Sequence, residues 1–472
     1  MTRALDPQLS FADLEFLNQS VQLDPVLAAI SNLIDSHGEL IEAVRQDLER
    51  ELKNPATGRS GLNAQQVLRS LVLQRIKNWD YRELRERIAD GYTLRRFTDF
   101  YSRSVPQHDA FNRAFNRLTP ETLSAINAAT VQAAVELGLE DGRKLRVDTT
   151  VVETDVHHPT DSTLLWDSVR VITRLVGRLD ELLPHGVGGF PNRTRRARRR
   201  MQELQRMTPA QRQRRQIRRY RDLIRTTEEV VDNARAVLNQ TRKVRAIDML
   251  SDLAIRELRD QIEHYCALGL KVIDQARRRV LEKESVPSAE KIYSIFEPHT
   301  DLIKRGKVQK PLEFGHKVFL AESARGLITQ YRVLNGNPTD DAQVKPCLKL
   351  HKKMFGEAPE LFSTDRGFFS HDNVTACHHA GVVLVCIPQR GGKKTPERER
   401  YEKSPAFKKG QRFRAGIEGR ISVLFRGRGM KRCLAEGRER FELLVGAAVL
   451  ANNLMVIAGL LLKRHERHRA AA

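Results

Sequence analysis

The chain has 472 residues, with 81 Lys or Arg against 59 Asp or Glu, a formal charge of +22 and a pI near 10.0. That length allows roughly two to four domains of about 100–200 residues and a substantial core, and the cationic excess favours a polyanionic partner, nucleic acid above all. Five scattered cysteines (Cys266, Cys347, Cys377, Cys386 and Cys433) have no paired spacing, which excludes a disulfide framework or zinc ribbon and suits a reducing cytoplasm.

The first residues, with Asp6, Asp13 and Glu15, carry no basic-then-apolar signal pattern. Residues 1–62 read as an N-terminal helical region: Ser10 caps a helix opening at Phe11, and Gly38 and the Pro55–Gly61 stretch punctuate it. Residues 63–140 read as a helical domain suited to binding DNA ends. Leu68, Leu71, Val72 and Ile76 recur at helical spacing, Asp80 and Glu83 form a capping-box pattern, and Gly91 ends the second helix of the pair. Arg82 and Arg85, with Arg87, Arg95 and Arg96, make this pair a candidate DNA reader; a packed pair with a solvated basic face has the same pattern. Thr119-Pro120-Glu121 opens another helix that ends near Gly138.

Residues 141–160 supply a strand, Lys144–Val152, with Asp148 in its middle, where an unpaired charge is costly and a bound cation relieves the cost. A hydrogen-bonded aspartate is the plainer alternative. Residues 161–290 read as a basic helical insertion, with apolar faces at Val230, Ala234, Val237 and Leu238 and at Leu258, Ile262 and Tyr265. Between Arg193 and Arg219 stand twelve arginines and one acid, Glu203. Arg195, Arg196, Arg198 and Arg199 are candidate contacts to a DNA backbone, ordered on binding, against the alternative of a solvated charge run.

Residues 291–472 complete the core. Phe314–Leu320 and Leu327–Leu334 read as strands, broken by Gly336-Asn337-Pro338; a helix over Asp341–Phe355 leads to a strand ending at Asp365, and a short helix precedes a strand over Val382–Ile387. Gly391–Gln411 reads as a mobile basic loop in which Lys393 and Lys394 are candidate DNA contacts, and two helices close the chain. The apolar run Leu443–Leu462 is long enough to span a membrane, but Asn452 and Asn453 fall inside it, so a buried core helix and no membrane partner are expected. The resulting fold class is α/β: the order of a ribonuclease H-like mixed-sheet core, with a large helical insertion and an N-terminal all-α region.

Three carboxylates carry the candidate chemistry. Asp148 and Asp365 sit at strand positions; Asp365 precedes Arg366-Gly367, where glycine lets backbone approach a ligand, with Asp372 as its rival. Glu418 lies four residues after Arg414, on one helical face beside the stripe Ile417, Ile421 and Leu424; an ordinary surface pair has the same spacing. Two strand carboxylates and one helical carboxylate suffice to hold two divalent cations, Mg2+ or Mn2+, about 3.5–4 Å apart. His157-His158 and Cys377-His378-His379 lack the spacing that zinc needs, and there is no P-loop.

Four stretches carry a resemblance: Arg146-Val147-Asp148-Thr149-Thr150-Val151-Val152-Glu153-Thr154 with His158-Pro159-Thr160-Asp161-Ser162; Leu334-Asn335-Gly336-Asn337-Pro338; Ser363-Thr364-Asp365-Arg366-Gly367-Phe368; and Gly416-Ile417-Glu418-Gly419-Arg420-Ile421-Ser422. With Tyr81-Arg82-Glu83-Leu84-Arg85-Glu86-Arg87-Ile88, they resemble the DDE-class insertion-sequence transposases of bacteria, of the ISNCY type, over roughly residues 63–160 and 290–460. The resemblance implies a ribonuclease H-like core in which Asp148, Asp365 and Glu418 bind two Mg2+ (or Mn2+) ions. It further implies cleavage at the ends of an insertion sequence and transfer of the 3′-hydroxyl to target DNA. The implied partners are terminal inverted repeats, target DNA and a second copy of the chain when two ends are paired, in the bacterial cytoplasm beside the nucleoid. Of the Tyr-x2-Arg-x3-Glu-x6-Lys signature of some relatives, only Arg414 and Glu418 match; Gln411 and Phe425 stand at the outer positions, so the lysine role is not carried over, and Arg426 and Lys431 are candidate substitutes for it. A ribonuclease H-like DNA nuclease without strand transfer and an inactive DNA-binding relative are the competing readings.

Overall fold

The computed structural model describes residues 2–3, 10–18, 22–50, 52–54, 57, 59–242, 244, 248–304 and 312–471. The chain divides into two compact units, Met1–Glu153 with His316–Ala472, and Thr154–Gly315. Asp6 and, within the expected break at Pro55–Gly61, residues 55, 56 and 58 lie outside the described residues.

The first unit opens with helices whose ends follow local chemistry. The Ser10 hydroxyl accepts the Asp13 amide at the start of Phe11–Asn18. Asn63 and Gln66 form a reciprocal capping box on Ala64–Lys77, and the Asp80 carboxylate accepts two amides at the start of Tyr81–Asp90. Gly91 ends that helix in extended rather than left-handed backbone, and a third helix, Tyr92–Phe97, follows at once, so the expected pair is a trio. Thr119 caps Pro120–Glu136 as its Thr-Pro signal predicts.

Residues 1–62 and 63–140 share one hydrophobic cluster, in which Ile30, Ile34, Val44, Val67, Leu68, Ile88, Phe97 and Phe111 pack with Leu450, Leu454 and Ile457. The last three belong to Arg438–Ala471, the one helix among the described residues long and apolar enough to cross a membrane. It serves as the core helix of this unit. Its buried Asn453 donates to Asn127 Oδ1 and to the Ile328 carbonyl, both at 2.8 Å, and accepts the Ile328 amide at 2.8 Å. A polar pair that would be costly in hydrocarbon is thereby satisfied.

The mixed sheet runs in the order Asp301–Lys304, Leu312–Ser323, Lys144–Thr154, Leu361–Ser363, Leu384–Cys386. Ile328–Val333 also pairs with Leu312–Ser323, antiparallel, and Arg432–Cys433 with Lys144–Thr154. The last three strands of the order are mutually parallel, with Arg146 opposite Ser363 and Ser363 opposite Cys386. Alternation sorts the strand side chains to two faces. Leu145, Val147, Phe319 and Phe362 pack with Val344, Leu348 and Cys377 of the helices Val344–Phe355 and His371–Ala380, whereas Val152, Val318 and Leu320 pack with Ile417, Leu424, Phe441 and Val445.

Several boundaries differ from expectation. The first strand runs on to Thr154, Asp301–Lys304 is an unforeseen strand, and the strands near Asp365 and Ile387 shrink to three residues each. The expected mobile loop Gly391–Gln411 is mostly helical. Thr395-Pro396 and Ser404-Pro405 each place a capping hydroxyl before a proline, and they start the helices Pro396–Lys403 and Pro405–Gly427.

The Pro405–Gly427 helix is held to the sheet by a buried charge cluster. Glu322 is wholly buried; its Oε2 accepts from Arg146 Nε at 2.7 Å and its Oε1 from Arg420 Nε at 2.8 Å. Arg146 Nη1 also donates to the Phe413 carbonyl at 2.8 Å, and Arg420 Nη1 to Asn452 Oδ1 at 3.0 Å.

In the second unit the helices Asp161–Leu182, Thr194–Arg206, Pro209–Thr241 and Met249–Ala276 pack around Leu165, Ile172, Leu223, Val230, Ile262 and Val272. The arginine run expected to order on binding is already helical. Arg196 and Arg200 pair with Asp222, Arg193 with Glu229, and Arg200 and Arg219 with Glu203, so acids outside or within the run tie its helices together.

Glu322→Ala leaves two inward-facing guanidinium groups without their carboxylate and is expected to cost about 3–5 kcal/mol, the scale for breaking a buried pair, read as an earlier urea midpoint. A second expectation concerns His351, buried in Val344–Phe355 beside Phe355. Burial, partly offset by the Gly142 backbone, pushes its pKa down from 6.5 to about 4. The folded ring therefore stays neutral while the unfolded one protonates. Stability is full above pH 6.5 and falls as pH drops through 6.5 towards 4, by about 3 kcal/mol in all. His351→Leu should flatten that part of the stability–pH curve.

Candidate active site

The register of the sheet brings the first two carboxylates to one level. Arg146 pairs with Ser363 on parallel neighbours, and two further residues along each strand direction lie Asp148 and Asp365. Asp148 is within its strand; Asp365 is just past its own, where it caps a short 3-10 turn over Arg366–Phe368 by accepting the Gly367 amide at 2.8 Å. Asp148 Oδ1 accepts its neighbour's amide, from Thr149, at 2.7 Å.

Glu418 and Arg414 come from Pro405–Gly427, which crosses the ends of the short strands. Ser363 Oγ donates to the Gly410 carbonyl at 2.9 Å, and Gln411 Nε2 donates to the carbonyls of Thr364 and Cys386 at 3.1 and 2.7 Å. Gln411 thus ties the helix to both strand ends. Ile417 and Leu424 are fully buried and Ile421 partly so, as the helical stripe predicts.

Arg414 gathers the three carboxylates. Its Nη2 lies 2.8 Å from Asp148 Oδ2 and 3.9 Å from Asp365 Oδ2, and its Nη1 lies 3.0 Å from Glu418 Oε1. The side chains grade from Asp148, 13% exposed, through Asp365 at 38% to Glu418 at 67%, so the group forms an open-sided site with Asp148 at its floor. Arg414 Nε is buried with no acceptor. Among the described residues no three His, Cys, Asp or Glu side chains already converge closely enough to hold a metal ion; these three meet through the guanidinium.

Asp340 is a nearby carboxylate that sequence reading missed. Its Oδ1 accepts from Thr149 Oγ1 at 2.8 Å and pairs with Lys317 at 3.3 Å. A Cβ added at Gly367 would stand 3.0 Å from Asp365 Oδ1 and 3.1 Å from Asp340 Oδ2, so glycine there lets both acids approach. The signal available was Asp340-Asp341 after the Gly336-Asn337-Pro338 break; it looked like an ordinary helix start. The rival Asp372 is exposed in the first turn of His371–Ala380.

The other candidate DNA contacts are not part of this group. Arg82 is exposed on Tyr81–Asp90, while Arg85 is partly buried with an unpartnered Nε; Arg95 binds the carbonyls of Ala89, Tyr101 and Arg103, a structural role. Lys393 is exposed and Lys394 pairs with Glu402 at 2.5 Å. In the second unit Arg195 and Arg198 are exposed, Arg199 lies 3.6 Å from Glu203, and Arg196 pairs with Asp222. His157 faces Asp167 at 3.4 Å, His158 stacks edge-on against Phe314, and all five cysteines are buried free thiols.

No curated protein and no solved structure matches the chain. Residues 15–117, the helical part of the first unit that precedes the sheet, match the family described as Transposase domain (DUF772), which supports a transposase family and a role in transposition.

Proposed function

We propose that the chain is a DDE-class DNA transposase of the ISNCY type, which binds the ends of an insertion sequence, cleaves the phosphodiester there and joins the freed 3′-hydroxyl to target DNA. The observation that carries this reading is the contact of one guanidinium, that of Arg414, with Asp148, Asp365 and Glu418, which come from two adjacent strands and a helix. The transposase match over residues 15–117 and the chain's +22 charge support a DNA substrate. The order of the strands, interrupted by one helical unit, supports a ribonuclease H-like core.

The donor set suits Mg2+ or Mn2+, because carboxylate oxygens are the ligands that hard divalent cations take, and a cation already stands among them in the form of Arg414. When bound, two such ions would activate the attacking water or hydroxyl and stabilise the leaving oxygen. The protein's own residues do the rest. Asp148 sets the floor of the site from within its strand, Asp365 stands just past the end of the neighbouring strand, and Glu418 closes the site from the helix. Arg414, with a planar fork suited to phosphate, orients the scissile group. Basic side chains hold the backbone, and base contacts from the helical region choose the sequence. Two element ends call for two copies of the chain, acting in the bacterial cytoplasm.

With labelled element ends, target DNA and Mg2+, Asp148→Asn should lower cleavage and joining by roughly a hundredfold or more, as loss of several kcal/mol of charge stabilisation requires. Asp372→Asn should leave both intact. Retained activity in Asp148→Asn removes the triad assignment. Cleavage by the wild type without a joined product replaces transposition with simple nuclease action.

A further inference from the structure

Asp148 and Asp365 each divide their two oxygens between backbone and Arg414. Asp148 Oδ1 accepts the Thr149 amide at 2.7 Å, and Asp365 Oδ1 accepts the Gly367 amide at 2.8 Å. Their Oδ2 atoms turn to one nitrogen, Arg414 Nη2, at 2.8 and 3.9 Å. The other terminal nitrogen, Nη1, lies 3.0 Å from Glu418 Oε1. The guanidinium thus stands between the three carboxylates, in the space that a cation shared by them would take. A divalent ion cannot join it there. Both need the same oxygens, and two cations a few ångströms apart at a partly buried point repel strongly.

Of the groups that meet here, the Arg414 side chain is the one able to yield. The backbone of its helix is pinned on both sides. Gln411 Nε2 binds the Thr364 and Cys386 carbonyls, Arg146 Nη1 binds the Phe413 carbonyl at 2.8 Å, and Ile417 is wholly buried. Asp148 and Asp365 are fixed by a strand and by a turn cap. Arg414 swings on several side-chain torsions, and its seat leaves it incompletely bonded, with Nε buried and without an acceptor. A phosphate offers two oxygens side by side and can take Nε together with a terminal nitrogen.

We propose that Arg414 is a built-in competitor for the cation site: it holds divalent ions off the carboxylates of the chain alone, and a DNA phosphate draws it away when substrate binds. This rests on the reading of Asp148, Asp365 and Glu418 as cation ligands. The guanidinium that neutralises the acids is then the one that goes on to hold the substrate, so the site fills with divalent cation only once DNA is in place. By linkage, DNA and the divalent cation each tighten the binding of the other by the same factor.

The test follows Mn2+ binding to the full chain by the loss of the free-ion EPR signal. Without DNA, Arg414→Gln should bind Mn2+ about tenfold more tightly than wild type, inside the ~5–150-fold range of coupled sites. Adding Asp148→Asn to Arg414→Gln should abolish the gain. Arg412→Gln, which removes an exposed charge from the same helix, should give little. A duplex carrying an element end, its own Mn2+ uptake subtracted, should tighten binding to wild type by a similar factor and to Arg414→Gln far less. Arg414→Gln that binds Mn2+ no tighter than wild type overturns the proposal, and so does Arg412→Gln that tightens it equally. If Arg414→Gln melts below the assay temperature, the wild-type duplex arm decides alone: Mn2+ binding that the duplex leaves unchanged overturns the proposal. Mn2+ binding lost in Asp148→Asn but not tightened by Arg414→Gln removes this inference alone; binding that Asp148→Asn leaves untouched in both backgrounds removes the triad reading itself.

Discussion

A single buried carboxylate, Glu322, is the constraint on which the candidate site depends. Fully withdrawn from water, it has to be met by charge, and Arg146 and Arg420 meet it from opposite elements. Arg146 is two residues from Asp148 on the central strand, and Arg420 is two residues from Glu418 on the crossing helix. A cluster like this adds little net stability over apolar packing, since desolvation offsets much of the attraction. What it supplies is register. A slide of the helix by one residue would leave a buried charge unpaired, so the helix has one seat. Arg146 fixes that seat a second time by binding the Phe413 carbonyl one residue before Arg414.

The same logic runs in reverse at the site itself. Asp148, Asp365 and Glu418 lie around Arg414, which acts as their internal counter-ion. Three like charges near one point repel, and a lone guanidinium offsets them only in part. A site in this condition is primed to accept more positive charge, which under the proposed function would be divalent cations. Lys317 and Thr149 already satisfy Asp340, so that fourth acid adds negative field without adding an unpaired group.

The N-terminal helices and the final helix form one packing problem. The apolar run near the C-terminus closes the core of the helical region while its asparagines reach back to Asn127, the Ile328 backbone and Arg420. One helix thus joins the transposase-matched region to the sheet. Under the proposed function, this connection couples the helices that recognise DNA to the sheet that carries the carboxylates.

Much of this was legible in the sequence because it is local. The capping patterns at Ser10, Asp80 and Thr119, the strand around Asp148 and the buried stripe of Ile417 and Leu424 all depend on neighbours within four residues. Thr395-Pro396 and Ser404-Pro405 were equally local, yet the density of basic residues over Gly391–Gln411 obscured them. Other features depend on which distant side chain arrives, and no periodicity encodes that. Asp222 and Glu229 convert part of an apparent DNA-binding arginine run into helix-to-helix pairing. Glu322 reads as one acid in a strand until Arg146 and Arg420 close on it from 176 and 98 positions away in sequence. The sequence by itself determined the elements, the basic character and the candidate acids, through short-range sterics, capping and composition. Only the tertiary structure decided that the three acids share one arginine and that Asp340 stands beside them, because long-range charge pairing is settled when buried groups must find partners.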